Sequence, residues 1–346
     1  MKKIISCALV LSVLLSTLCS CSKQKERFTE TYLEYFDTAS LIVGYEYDIE
    51  NFDKNCFFIE QQLKEYNQLY DIYKTYENIN NIRTINKNAG VMPVKVDVRI
   101  IELLEYCKDI YTLTNGMVNV AMGSVLSIWH DYRTIGANEP SKAELPPMDM
   151  LLEANKHTDI NNVVIDKENC TVFLSDPKMS LDVGAIAKGY ATEQIAKALI
   201  NKGIENYTLN IGGNIRTIGA KGDGSPWITG VENPVSTSDN AFVLRVELNN
   251  HVFVTSGTYQ RFYTVDGVRY HHIINPKTLM PENNYLSVSI LCDNSGFADA
   301  LSTAVFNMSF DEGKEFIESL DGVEAMWVLD ENDVRYTKGL KNFIYE

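Results

Sequence analysis

Positive charge is scarce in this sequence: 31 Lys and Arg face 46 Asp and Glu, a net charge of -15 over 346 residues. Affinity for phosphate backbones comes from clustered Lys and Arg, so nucleic acid is excluded as a partner class. An anionic ligand would need local help, from a cation or from backbone N–H groups. Metal-binding cysteine patterns are missing too, since the seven cysteines contain no CxxC pair and fit no zinc spacing. There is no GxxxxGKS phosphate loop, no internal repeat and no low-complexity tract. What remains is the composition of a soluble globular chain, 45% hydrophobic and 22% charged, long enough for one large domain or two ordinary ones.

No apolar run is long enough to be a comfortable membrane span. The longest, Ile4 to Leu18, follows Lys2 and Lys3 and ends in Leu18-Cys19-Ser20-Cys21. That ending resembles a bacterial lipobox, which implies cleavage before Cys21, lipidation of Cys21 and export to the outer face of the cytoplasmic membrane or a periplasm-facing leaflet. A short polar tether follows, from Ser22 to Arg27. The remaining cysteines, Cys56, Cys107, Cys170 and Cys292, sit in apolar segments and are expected as buried free thiols.

The pattern predicts an α+β fold, mixed sheets with packed helices. Thr31 to Tyr47 reads as extended, broken at Phe36-Asp37-Thr38. Cys56 to Lys74 carries Ile59, Leu63, Tyr66, Tyr70 and Tyr73 at helical spacing, and Asp97 caps a second helix stopped by Thr114-Asn115-Gly116. Asn119 to Ser124 is a small-residue passage where backbone can approach a neighbour closely. Asn138 to Pro147 reads as a surface excursion, Met148 to Asn155 as a short helix, and Val163–Ile165 with Thr171–Leu174 as a hairpin.

Three stretches have the composition of a site. Leu181 to Tyr190 (LDVGAIAKGY) is expected to pass from strand to helix, its glycines admitting close approach and Lys188 adding charge where a helix N-terminus favours an anion. Tight helix packing explains the same glycines. Thr255 to Pro281 reads as a hairpin closed by Asp266-Gly267, carrying His271 and His272 and the rings of Tyr259, Phe262, Tyr263 and Tyr270. Its histidines could equally sit on a solvated face. In Gly296 to Phe306, Asp299 and Thr303 share a helix face apart from a stripe of Phe297, Leu301, Ala304, Val305 and Met308. A carboxylate with a hydroxyl suits Mg²⁺, which takes few carboxylates and completes its shell with phosphate and water.

Taken in order, LDVGAIAKGYA, NIGGN, TSGTYQRFY with YHHIINP, and ADALSTAVF resemble the ApbE family of flavin transferases. The likeness runs from about Tyr32 to the C-terminus and includes NINNIRTINKNAG and TNGMVNVAMGSVLSIW. It implies a T-fold-like domain over residues 31–346 after a leader (1–20) and tether (21–30). It also implies transfer of FMN from FAD to a Thr or Ser hydroxyl of an acceptor protein, a subunit of a membrane redox complex or an extracytoplasmic electron carrier, with Mg²⁺ required and AMP released. By the same resemblance Asp299, Thr303 and the Ala185 carbonyl hold the metal with Ser302 close by. Phe36, Tyr73, Ala121, Met122, Gly123, Asp182, Lys188, His272 and Ile273 contact FAD, and His272 is the base.

Three positions depart from the family pattern. Phe36-Asp37-Thr38 stands for Met-Gly-Thr, Val118-Asn119-Val120-Ala121 for Phe-Asp-Pro-Thr, and Asn275 for the acid of an HxxD motif, where it is expected to accept a hydrogen bond from the histidine without supplying charge. Two other readings use the same residues: a pyrophosphatase that hydrolyses FAD to FMN and AMP, and a lipoprotein that binds FAD without turnover.

Overall fold

The computed structural model describes residues 24–233, 241–259, 261–330 and 333–345. Cys21 and the lipobox lie outside them. Glu26–Tyr32 (β1) and Ser40–Glu46 (β2) form an antiparallel hairpin running from Glu26↔Glu46 to Tyr32↔Ser40. The expected tether is therefore too long, because Glu26 and Arg27 already pair. Their polarity misleads since β1 is an edge strand, solvated along most of its length.

The other strands are Val94–Lys95 (β3), Val163–Asp166 (β4), Thr171–Leu174 (β5), Tyr207–Ile211 (β6), Asn214–Ile218 (β7), Trp227–Glu232 (β8), Phe242–Leu248 (β9), Val252–Gly257 (β10), Phe262–Val265 (β11), Val268–His271 (β12), Ser287–Cys292 (β13), Glu324–Val328 (β14) and Val334–Tyr336 (β15). The helices are Ile49–Tyr70 (α1), Ile82–Lys87 (α2), Val98–Leu113 (α3), Gly123–Asn138 (α4), Met148–Asn155 (α5), Ala187–Asn201 (α6), Ser295–Phe306 (α7) and Phe310–Glu318 (α8). An eight-stranded sheet in the order β1-β2-β6-β7-β10-β13-β14-β15 is antiparallel throughout. Its order repeats one scheme, a strand pair, helices, and a second strand pair. The halves meet where β7 pairs with β10.

Alternation along the strands covers both faces of this sheet. On β10, Val252 and Val254 pack with Leu301 and Val305 of α7, while Phe253 points to the other side against Trp227 and Val246 of the β8–β9 hairpin. Trp227 is thus core. Between β2 and β6 the chain makes its long excursion, with α1, α3 and α6 in one apolar cluster and β3-β5-β4 as a small sheet.

Four expectations need correction. α1 starts at Asp48, whose carboxylate accepts from the Asn51 amide, and stops before Asp71, so Tyr73 lies beyond the helix and is exposed rather than on its buried stripe. Leu181 to Val183 is not a strand; Ser180 makes one parallel bridge to Met122 and the chain turns into α6. Helix α7 is buried on nearly every side, with Met308 past its end, because it is clamped between sheet and α6. Of the thiols, Cys56, Cys107 and Cys292 are buried and free, but Cys170 is only half-buried, at the β4–β5 turn with φ 50°.

Candidate active site

The site is built around the start of α6, where it crosses α7. Helix α6 has no side-chain cap, and the Gly189 amide donates to Asp299 Oδ2 at 2.8 Å. The amide expected to greet a phosphate is therefore taken by a carboxylate. Glycine is required there by contact, since a Cβ would lie 2.3 Å from the Ser295 carbonyl oxygen and 2.4 Å from Asp299 Cβ. Asp299 is buried, and burial pushes its carboxyl above the ordinary range while Lys188 and the Gly189 amide pull it back. Lys188 Nζ stands 3.7 Å from Asp299 Oδ1.

Ser302, one turn along α7, is fully buried: its hydroxyl donates to the Asp299 carbonyl at 2.9 Å and bonds the Ser256 hydroxyl of β10 at 2.8 Å. It ties α7 to β10. Thr303, one turn along α7 from Asp299, and Ala185, just before α6, are half-buried. Among the described residues no group of three His, Cys, Asp or Glu gathers, so a cation here would draw most of its ligands from hydroxyls, carbonyls, phosphate and water. Asp299, a single carboxylate beside the Lys188 ammonium and the Asn214 amide, fits that donor set.

The second wall is the β11–β12 hairpin, closed at Asp266 and Gly267, which have φ of 50° and 80° as a type I′ turn requires. Neither histidine sits on a solvated face. His271 is buried; its Nδ1 accepts from the Ile273 amide at 3.2 Å, so Nε2 carries the proton and donates to the Glu282 carbonyl at 2.8 Å. His272 is half-buried and its Nδ1 is a buried atom with no hydrogen-bond partner among the described residues. Burial, with help from the charges of Arg261 and Arg133, lowers its pKa to about 3. At neutral pH the imidazole is therefore uncharged and only weakly basic, and an anion bound beside it would raise its affinity for a proton.

This shift gives a stability prediction. Between the ordinary histidine value and about 3 the unfolded chain binds a proton that folded His272 refuses, so its contribution is lost as pH falls through that window. Thermal midpoints of wild type and His272→Gln, followed from pH 7 to pH 4, are expected to converge, the variant losing less; parallel curves would contradict a neutral buried His272.

Asn275 does not orient His272. Its amide donates to Glu282 Oε1 at 3.0 Å and to the Asn307 carbonyl at 3.3 Å, and its carbonyl oxygen accepts from the Lys277 amide at 2.8 Å. It holds the loop behind the histidines. Aspartate there would lose both donors and face the Glu282 carboxylate, so Asn275→Asp, which restores the family motif, is expected to lower stability by about 1–3 kcal/mol in denaturant unfolding. An unchanged midpoint would refute this.

Three of the hairpin's four rings pack on the protein itself rather than standing open to a ligand. Tyr263 is buried against α4 with Trp129, Ile274 and Leu279, Tyr270 stacks on Trp129 with centroids 6.4 Å apart, and Tyr259 lies over Gly257. The ring that is exposed is Tyr73, 5.2 Å from the His130 ring. Arg133 approaches His130 Nδ1 at 3.2 Å, and Arg261 donates to the Asp37 carbonyl at 3.2 Å. Asp182 lies among these groups, its carboxyl raised by burial against the opposing pull of the Gly184 amide, His130, Arg133 and Arg261. This basic cluster is the local help that an anion needs on an acidic chain.

The remaining expected contacts flank it. Phe36 and Asp37 both have left-handed φ (56° and 51°), and Gly212 packs on Thr38 so tightly that a Cβ would meet it at 2.6 Å. Ala121 and Met122 turn their side chains into the core, and Gly123 abuts Ser180, so this passage offers a ligand its backbone. Asn119 keeps the turn itself, its Oδ1 accepting from the Ala121 amide at 2.9 Å. Ile273 is core. Ser256 and Asn214 lay within quoted motifs without a role, and Asn214 now stands buried beside Asp299. His130 and Arg133 carried no signal, since on α4 they read as a polar helix face.

The model of the ApbE family matches residues 39–327. A FAD:protein FMN transferase from Treponema pallidum is 33% identical over 75% of this chain and 73% of its own length, and one from Haemophilus influenzae is 29% identical over 92% and 91%. Among solved structures, an ApbE protein from Thermotoga maritima superposes with a TM-score of 0.79 at 28% identity, covering 93% of this chain and all of that one. The flavin transferase ApbE from Vibrio cholerae gives 0.76 at 24%, a likeness of fold.

Proposed function

Because this chain belongs to the ApbE family, we propose that it transfers FMN from FAD to a Thr or Ser hydroxyl of an acceptor protein, releasing AMP. The observation that carries the reading is the meeting of three parts at one end of the sheet: the Asp299–Lys188 pair, the neutral His272, and the cluster of Arg133, Arg261 and Asp182. Each answers a demand of the chemistry. The pyrophosphate brings negative charge, which Lys188 and the arginines attract. A hydroxyl cannot attack phosphorus at neutral pH without losing its proton, and the neutral His272 imidazole, made more basic by the charge of the bound pyrophosphate, would take it.

Mg²⁺ would be held by Asp299, Thr303 and the Ala185 carbonyl, with Ser302 bracing the helix that carries two of them. When bound it supplies charge neutralisation for the transferred phosphoryl group. Asp182 and Tyr73 would flank the nucleotide. We place the protein outside the cytoplasm, lipid-anchored through Cys21, a reading supported by the lipobox alone.

The test mixes the protein with FAD, Mg²⁺ and candidate acceptor subunits from membrane redox complexes. A fluorescent acceptor band and an acceptor mass increased by FMN are expected. FAD cleavage with no labelled acceptor would establish hydrolysis instead, and binding without AMP release would establish a carrier.

A further inference from the structure

A second buried polar contact lies one turn behind the Asp299 joint. Glu193 and Gly189 are one turn apart on α6, as Ser295 and Asp299 are on α7. Glu193 Oε2 accepts from the Ser295 amide at 2.9 Å, just as Asp299 Oδ2 accepts from the Gly189 amide at 2.8 Å. Each helix thus offers the other one carboxylate and one amide. The sheet closes both contacts from beneath. Arg216 of β7 donates its Nε to Glu193 at 3.1 Å, and Asn214, two residues earlier on the same face of β7, stands beside Asp299.

All these groups are buried, Glu193 at 3% and Arg216 at 6% exposure. Arg216 is itself fixed, its Nη1 donating to the Thr217 and Asn250 carbonyls at 2.9 Å. A buried ion pair is a poor source of net stability compared with apolar packing, because both charges give up their water. It does fix geometry. The Ser295 amide belongs to the first turn of α7 and has no partner within the helix. Glu193 therefore pins both the axial position and the rotation of α7, four residues before Asp299 and eight before Thr303.

We infer that Glu193, held by Arg216, is a positioning residue that sets the phase of α7 so that Asp299 and Thr303 face the metal site together. The inference rests on the metal assignment proposed above. Mg²⁺ demands near-ideal octahedral geometry, so a small rotation of α7 costs metal affinity before it costs the fold; Mn²⁺, which takes the same oxygen ligands, reports the loss of the two side-chain donors. FAD contacts on other elements are left in place.

The probe is Mn²⁺, titrated by electron paramagnetic resonance into the full-length protein with FAD present, alongside flavin binding without metal and the thermal midpoint. Glu193→Ala is expected to weaken Mn²⁺ binding about tenfold, near 1.4 kcal/mol, with metal-free FAD affinity unchanged. Glu193→Gln, whose amide oxygen still accepts from Ser295, should recover most of the loss. Ile317→Ala, a core truncation on α8, should lower the midpoint and leave Mn²⁺ affinity at the wild-type value.

Wild-type Mn²⁺ affinity in Glu193→Ala, with a lowered midpoint, would overturn the inference and leave the pair a purely structural one. Should Glu193→Ala not fold, Arg216→Lys carries the same test, and an unchanged Mn²⁺ affinity there overturns the inference equally. Failure of the wild type itself to bind Mn²⁺ would overturn the metal assignment, and the inference with it.

Discussion

Asp299→Asn is expected to lower AMP release and acceptor flavinylation at least about 100-fold while leaving the protein folded. The amide keeps the shape and can still accept from Gly189, so the packing of α6 on α7 survives. What disappears is the charge. A bound divalent cation supplies several kcal/mol of charge stabilisation in phosphoryl transfer, and each 1.36 kcal/mol is tenfold in rate. Lys188 would then stand beside a neutral group, and FAD binding without metal should be retained. Wild-type AMP release from a folded Asp299→Asn protein would sink the metal role of this carboxylate.

Gly189→Ala is the second large effect, and it acts by volume alone. The added methyl would meet the Ser295 carbonyl and Asp299 Cβ well inside contact distance, and neither is the movable end of a side chain. Overpacking of this kind costs about 1–3 kcal/mol, and here relief requires α6 to lift from α7. Lifting breaks the Gly189–Asp299 bond, so activity should fall along with the urea midpoint. A variant with unchanged midpoint and unchanged activity would show that the two helices do not depend on this contact.

Much of this architecture was legible because local signals agreed with the fold. Asp97 capping α3, the Asp266-Gly267 turn and the Thr171–Leu174 strand are each specified by neighbours in sequence. Two readings fail, one to a local turn and one to tertiary context. Tyr73 continues the spacing of α1, but the Asp71 carboxylate captures the Tyr73 and Lys74 amides and ends the helix early. Tyr263 and Tyr270 look like ligand faces until α4, far away in sequence, supplies Trp129 to cover them.

The same holds within the site. Helix spacing pairs Asp299 with Thr303, and resemblance alone nominates Asp182, Lys188 and His272. No periodicity could have shown that Asn275 serves Glu282 instead of His272, or that Arg133 reaches His130 and Glu193 reaches Ser295. Those partners are set by packing between elements that sequence spacing does not connect.

The seam between β7 and β10 also bears on how the chain reaches this state. The first half closes only when Ser40 of β2 finds Ile211 of β6, and non-local pairings of that kind slow folding. Until β10 arrives, β7 is a bare strand edge, the kind of surface on which a newly made chain aggregates. Asp299, Asn214 and Ser256 come together only on docking. A nucleotide gripped there would bind the docked form alone, drawing the halves together by mass action and shielding that edge. FAD supply would then govern the yield of folded enzyme as well as its turnover.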